Sequence, residues 1–341
     1  MTEAMTAMEW YLPVIWASLI GLAVMMYVIL DGFDLGIGIL FPFTRQEEER
    51  DLMMNSVAPF WDGNETWLVL GGGGLWVAFP KAYAIIMPAF YLPVIGMLLA
   101  LVLRGVSFEF RWVAKPGHRI WDVAFAGGSI AAAFLQGVIL GALLQGVEVV
   151  DGQYAGGPFD WLTLFSVFVG LAVVAGYALL GATWLHMRTH GPVQELGRKY
   201  TPPLLAAVLV AMGIISLWTP LSIDRVAERW FSTPNIFYLW PIPTAAAIIA
   251  FAIWRGIENR REFMPFIGTI ALFILGYAGL VISNAPYLVP PSLTFWDTAA
   301  SPASQIFFLM GTLFLLPLVL GYTIFVYWVF RGKIAPGEGY H

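Results

Sequence analysis

Residues 30–43 read LDGFDLGIGILFPF and set two carboxylates, Asp31 and Asp34, at the end of a long apolar run. A carboxylate at the centre of a membrane helix costs about 3 kcal/mol on insertion scales, so acids kept there are candidates for function. Whether this run spans a membrane decides the fold. Of the 341 residues, 59% are hydrophobic and 11% charged, where soluble chains carry about 25% charged residues. The chain therefore reads as an all-α integral membrane protein. Its 15 tryptophans suit helices anchored at the membrane–water boundary. A net charge of −5 argues against nucleic acid as a partner. The lack of cysteine removes disulfides, thiolate zinc sites and Cys-held iron–sulfur clusters. The opening MTEAMTAMEW is acidic and has no basic n-region, so the first apolar run is expected to be a retained span.

A span needs roughly 20 apolar residues. Apolar runs between charged or Pro/Gly breaks give nine transmembrane helices at about 10–41, 54–79, 83–112, 120–147, 160–188, 202–220, 236–255, 263–284 and 303–330. They make up a single polytopic domain, 1–341. With the N-terminus outside, 14 of the 17 basic residues fall at cytoplasmic ends, Lys115 among them, and only Lys81, Arg225 and Arg229 fall outside. This positive excess predicts an N-out, C-in orientation. The second run, interrupted by APFWDGNETW, is kept because dropping it would destroy the alternation.

Asp31 and Asp34 are three residues apart and share a helix face. WDGNETW repeats that spacing with Asp62 and Glu65 on the antiparallel second span, so four acids are expected in one layer of the inner half. Such groups suit a proton path, and Arg104 near the inner end of the third span is their candidate counter-ion. The alternative is that these acids only cap helices or meet headgroup-level water. Asp34 is expected nearest the aqueous edge. Glu109 and Arg111, in SFEFR, read as interfacial anchors. LGGGGLW, residues 70–76, lacks a following GK[ST] and reads as close helix packing rather than a phosphate loop. No histidine lies inside a span. His186 and His190 have a metal-like spacing but no third ligand nearby, so neither metal nor haem binding by this chain is expected.

LDGFDLGIG, NSVAPFWDGNETWLV, RGVSFEFR, LLQGV and TFWDTAAS, in this order along essentially the whole chain, resemble subunit II of the cytochrome bd-type quinol oxidases. The short outer loops and RGVSFEFR look most like the cyanide-insensitive branch. The resemblance implies two four-helix bundles plus a peripheral helix. It also implies an obligate heterodimer with subunit I, which carries two b-type haems and a haem d or b, and a site in the bacterial inner membrane. Lipid, quinone and small single-span subunits are the further partners it suggests, and some members hold a structural quinone in this subunit. It implies no haem here, and a share in leading cytoplasmic protons to the oxygen-reducing site. By position, Asp31 and Asp62 match the family's proton-path acids, whereas Glu65 stands where relatives have Gln. A proton-coupled secondary transporter is the competing reading, although such proteins show repeat halves with a midplane site, and the acids here cluster in the first two spans with no counterpart pair in the fifth to ninth.

The charge asymmetry predicts topology. A reporter fused after His341 should be cytoplasmic, and one inside EVVDGQYAGG, residues 148–157, should be periplasmic. Inversion at both places would overturn the orientation.

Overall fold

The computed structural model describes residues 7–114 and 118–334; the Lys115 placement and the chain end at His341 lie outside the described residues. Fourteen helices are described. They are α1 (Ala7–Leu40), α2 (Glu47–Asn55), α3 (Trp61–Ala78), α4 (Pro80–Ala89), α5 (Tyr91–Val113), α6 (Arg119–Gln145), α7 (Leu164–Arg188) and α8 (Gly191–Ser222). The chain continues with α9 (Asp224–Phe231), α10 (Asn235–Leu239), α11 (Pro241–Glu258), α12 (Phe263–Asn284), α13 (Phe295–Thr298) and α14 (Pro302–Val329). Two short antiparallel hairpins complete it: β1 (Val149–Val150) with β2 (Gln153–Tyr154), and β3 (Tyr287–Val289) with β4 (Leu293–Thr294).

Among the described residues, eight helices are long and apolar enough to cross a membrane: α1, α5, α6, α7, α8, α11 with α10, α12 and α14. The helix α3 is 18 residues long, or roughly 27 Å at 1.5 Å per residue. Asp62, Asn64, Glu65 and five glycines keep its hydropathy low. It nevertheless joins the same two ends of the molecule as its neighbours. At one end, Ala300 N–H donates to Ala78 C=O and Val147 N–H to Pro290 C=O, both at 2.9 Å. Trp10 stacks on Trp296 there, with ring centroids 4.4 Å apart. At the other end, Arg50 pairs with Asp122 at 2.8 Å and Arg188 donates to Phe330 C=O at 2.6 Å.

One reading is corrected. The run 83–112 is not one helix, because α4 ends at Ala89 and α5 begins at Tyr91. Pro88 and Pro93 flank the break, and proline can neither donate to the preceding turn nor avoid its carbonyl.

The helices α1, α3, α5 and α6 pack as one group and α7, α8, α11 and α12 as a second, joined where α7 lies against α1 and α6. The helix α14 lies at the edge, against α1 and α3. Close approach at the seam depends on glycine. A Cβ on Gly36 would lie 1.9 Å from the Tyr177 carbonyl oxygen and 2.8 Å from Gly181 N. Likewise a Cβ on Gly128 of α6 would lie 2.6 Å from Ala100 O and 3.0 Å from Arg104 N of α5. With no Cβ at either place, backbones meet, as small residues permit in lipid. The C-terminal end of α1 is consequently enclosed, with every residue from Asp31 to Phe41 buried.

Gly36→Ala should therefore push α7 off α1. Overpacking of this kind costs about 1–3 kcal/mol, to be seen as a lowered melting temperature of the detergent-solubilised protein. An unchanged melting temperature would contradict the seam.

Candidate functional site: a buried Arg104–Asp31–Asp34 cluster

The side chains of Asp31, Asp34 and Arg104 are all fully shielded from solvent. The helical offset of three residues puts both carboxylates on one face of α1. Arg104 reaches between them, with Nη1 2.7 Å from Asp31 Oδ1 and Nη2 3.7 Å from Asp34 Oδ2. It also lies 5.8 Å from the Trp61 ring centroid, a cation–π contact. A buried charge is tolerated only when paired. Here one cation serves two acids, so full ionisation would leave a net negative charge in the apolar interior. A proton shared among these groups relieves it.

Asparagine completes the cluster. Asn64 of α3 donates from Nδ2 to Asp34 Oδ2 at 2.8 Å and to Leu30 C=O at 3.2 Å. Its Oδ1 accepts from the Tyr327 hydroxyl of α14 at 2.9 Å. One turn before Asp31, the Tyr27 oxygen accepts from Gln136 Nε2 at 2.7 Å, and Gln136 Oε1 accepts from the Tyr177 hydroxyl at 2.7 Å. The triad is thus bracketed by polar side chains from α1, α3, α6, α7 and α14.

The four expected acids do not form one layer. Asp31 and Asp34 are enclosed, Glu65 is half-buried, and Asp62 is exposed. The reason is the helix period: Asn64 and Trp67 occupy the face of α3 turned to α1, which leaves Asp62 and Glu65 on its flank. Asp34 is not at an aqueous edge either, because the whole C-terminal end of α1 is covered. Asp62 instead lines a cavity of about 160 Å³ with Glu109, Trp61, Asn64, Trp112 and Tyr327. That volume holds several waters at about 30 Å³ each. Glu109 therefore faces this cavity, while Arg111 pairs with Asp51 and, at 2.6 Å, with Asp122. Of the two histidines with metal-like spacing, His186 is buried and His190 exposed, and no group of three His, Cys, Asp or Glu capable of holding a metal occurs among the described residues.

The sequence reading overlooked Asn64, Tyr27, Gln136, Tyr177 and Tyr327. A lone polar residue in an apolar helix was the available signal, and it applies to Asn64 and Gln136 as much as to the acids.

Residues 12–330 match the model of the family described as cytochrome bd terminal oxidase subunit II. The chain belongs to that family. It is 30% identical over 360 residues to cytochrome bd-I ubiquinol oxidase subunit 2 of Escherichia coli (strain K12), with 94% of each chain covered. Cytochrome bd ubiquinol oxidase subunit 2 of Bacillus subtilis (strain 168) is 30% identical over 338 residues, covering 95% of this chain and 97% of the relative. The fold matches a chain of the bd oxidase from Geobacillus thermodenitrificans with a TM-score of 0.78 at 15% identity, covering 94% of this chain and 98% of that one.

Arg104→Met leaves two buried carboxylates without a cation, a loss of about 3–5 kcal/mol for a broken buried pair. Thermal unfolding of the solubilised protein should show this, and adding Asp31→Asn with Asp34→Asn should recover much of it. Equal stability of Arg104→Met and wild type would refute the pairing.

Proposed function

We propose that this chain is the haem-free subunit of a bd-type quinol:oxygen oxidoreductase in a bacterial inner membrane, and that it conducts protons from the cytoplasm toward the oxygen-reducing site. Family membership supports the place in such a complex and disfavours the transporter reading. The observation that carries the proton role is the fully buried Arg104–Asp31–Asp34 cluster set behind a cavity that bears Asp62 and Glu109 at its wall. In this reading α3 is a ninth span, the chain is N-out and C-in, and the cavity opens to the cytoplasmic side. Subunit I is the partner, and its haems supply the electron transfer and the reduction of oxygen, which consumes protons.

The steps open to this chain's residues follow from their surroundings. The exposed Asp62 carboxylate exchanges protons with water at the mouth of the cavity. Glu65, half-buried on the same flank, is the next carboxylate inward. Asp34 has weaker compensation from Arg104 than Asp31 has, since its nearest guanidinium nitrogen is 3.7 Å away rather than 2.7 Å. Asp34 is therefore the member of the pair better placed to hold a proton, with Asp31 as the standing counter-ion. Arg104 keeps the pair from taking up a proton permanently, because each carboxylate can be ionised beside it.

The test is the complex itself, purified with its haem-bearing partner in mild detergent. Asp62→Asn removes the titrating group and keeps its shape, so the complex should retain its haem spectrum. Oxygen consumption should fall about tenfold, or about 1.4 kcal/mol on the barrier. Asp31→Asn should behave similarly, and the double variant should cost less than the sum, because residues sharing one network are not additive. Normal turnover by an assembled Asp62→Asn complex would leave these acids as structural contacts. Purification without haem bands would remove the oxidase reading.

A further inference from the structure

The helix α14 lies at the edge of the bundle, and the greater part of its surface is exposed and apolar. Tyr327, near its end, is half-buried, lines the cavity and donates to Asn64 Oδ1. A carboxamide has distinct ends, a carbonyl that only accepts and an amino group that only donates. Were Asn64 turned over, its oxygen would face Asp34 and the Leu30 carbonyl, both acceptors. Those two acceptors set the orientation in which Nδ2 donates to Asp34, and the Tyr327 hydroxyl, donating to Oδ1, polarises the amide so that this N–H donates more strongly.

Tyr327 is itself held from the chain end. Its ring stacks on Phe60, with centroids 4.5 Å apart and an interplanar angle of 27°. The Arg188 guanidinium lies 5.7 Å from the Phe60 centroid and 5.3 Å from that of Trp184. Arg188 also donates to the carbonyls of Phe330, at 2.6 Å, and Gly332, and its own carbonyl accepts from Ile334 N–H at 2.9 Å. Next to this clamp Lys333 pairs with Glu262, which holds the Glu262 carboxyl below its ordinary range. The last turn of α14 is thus pinned to α7 and to the start of α12.

We propose that Tyr327 is a positioning residue for proton transfer: acting through Asn64, it sets the hydrogen bond that the Asp34 carboxylate receives, and Arg188 keeps it there. The proposal rests on the proton-path reading above. Asp34 is faced by Asp31 of its own helix, Arg104 of α5, Asn64 and Glu65 of α3, and Tyr327 of α14. From α6 and α7 the polar groups nearest the cluster are Gln136 and Tyr177, which bond to each other and, through Gln136, to Tyr27. Of these, Tyr327 reaches Asp34 only through the amide to which it donates.

Tyr327→Phe keeps the ring and its stacking and removes one hydroxyl. With Oδ1 left without that donor, the Asn64 amide donates less strongly and the Asp34 carboxylate binds its proton more tightly. In the assembled complex with its partner, oxygen consumption should fall about fivefold, the size expected for one lost hydrogen bond. The pH profile of turnover should move about half a pH unit or more toward higher pH. Asn64→Ala should shift the profile in the same direction, and adding Tyr327→Phe to it should change nothing further. A Tyr327→Phe complex with the wild-type rate and profile, beside slow Asp31→Asn and Asp62→Asn complexes, overturns the positioning role and leaves the path standing. A slow Tyr327→Phe complex with an unmoved profile also overturns it, as packing alone. Wild-type rates in the Asp31→Asn and Asp62→Asn complexes remove the path and this role together.

Discussion

One guanidinium facing two carboxylates, out of reach of water, is the constraint around which the rest is arranged. Arg104 can stay charged at that depth because Asp31 and Asp34 are there, and they can stay because it is. Each neighbouring feature meets a demand of this cluster. Gly128 lets α6 come close enough to cover the backbone of Arg104, Asn64 supplies a donor to the less well-paired carboxylate, and Trp61 covers the guanidinium. The 3.6-residue period then decides which polar residues of α3 join the cluster and which remain on its flank.

A second ionic cluster at the same end of the molecule makes the contrast clear. Arg50, Arg111, Asp51 and Asp122 tie α2, α5 and α6 together, and both guanidinium groups lie 5.6 Å from the Phe41 ring centroid. Two cations meet two anions there, so the charges balance and the cluster acts as a clasp. The cluster at Arg104 is out of balance by one carboxylate. That surplus is what separates a group able to take and release a proton from one that only holds helices together.

Much of this was legible before any coordinates. The apolar runs fall on the long helices, because a bilayer span has a length that composition must meet, although α8 begins at Gly191, well before the expected 202. The pairing of Arg104 with Asp31 and Asp34 could be anticipated from depth and charge alone. The split at Phe90 could have been drawn from Pro88 and Pro93, yet the hydropathy of 83–112 is continuous and conceals it. The separation of Asp62 from Asp31 was out of reach, since equal depth on neighbouring helices says nothing about rotation around the helix axis. Tyr327 was hidden for another reason: it lies about 260 residues from Asn64 in the chain and tyrosine is ordinary near the end of a membrane helix.

The contact of Gly36 with Gly181 removes slack from the joint between the two helix groups. Helices meeting backbone to backbone cannot slide past one another without prising the groups apart, because no flexible side chain lies between them to yield. Shear on the microsecond-to-millisecond scale is thereby suppressed at the level of the buried acids. What stays free to move is small: a hydroxyl rotor, a carboxamide, a carboxyl torsion. Traffic through this part of the molecule would then follow the jitter of single side chains, with the scaffold standing still around them like the frame of a loom.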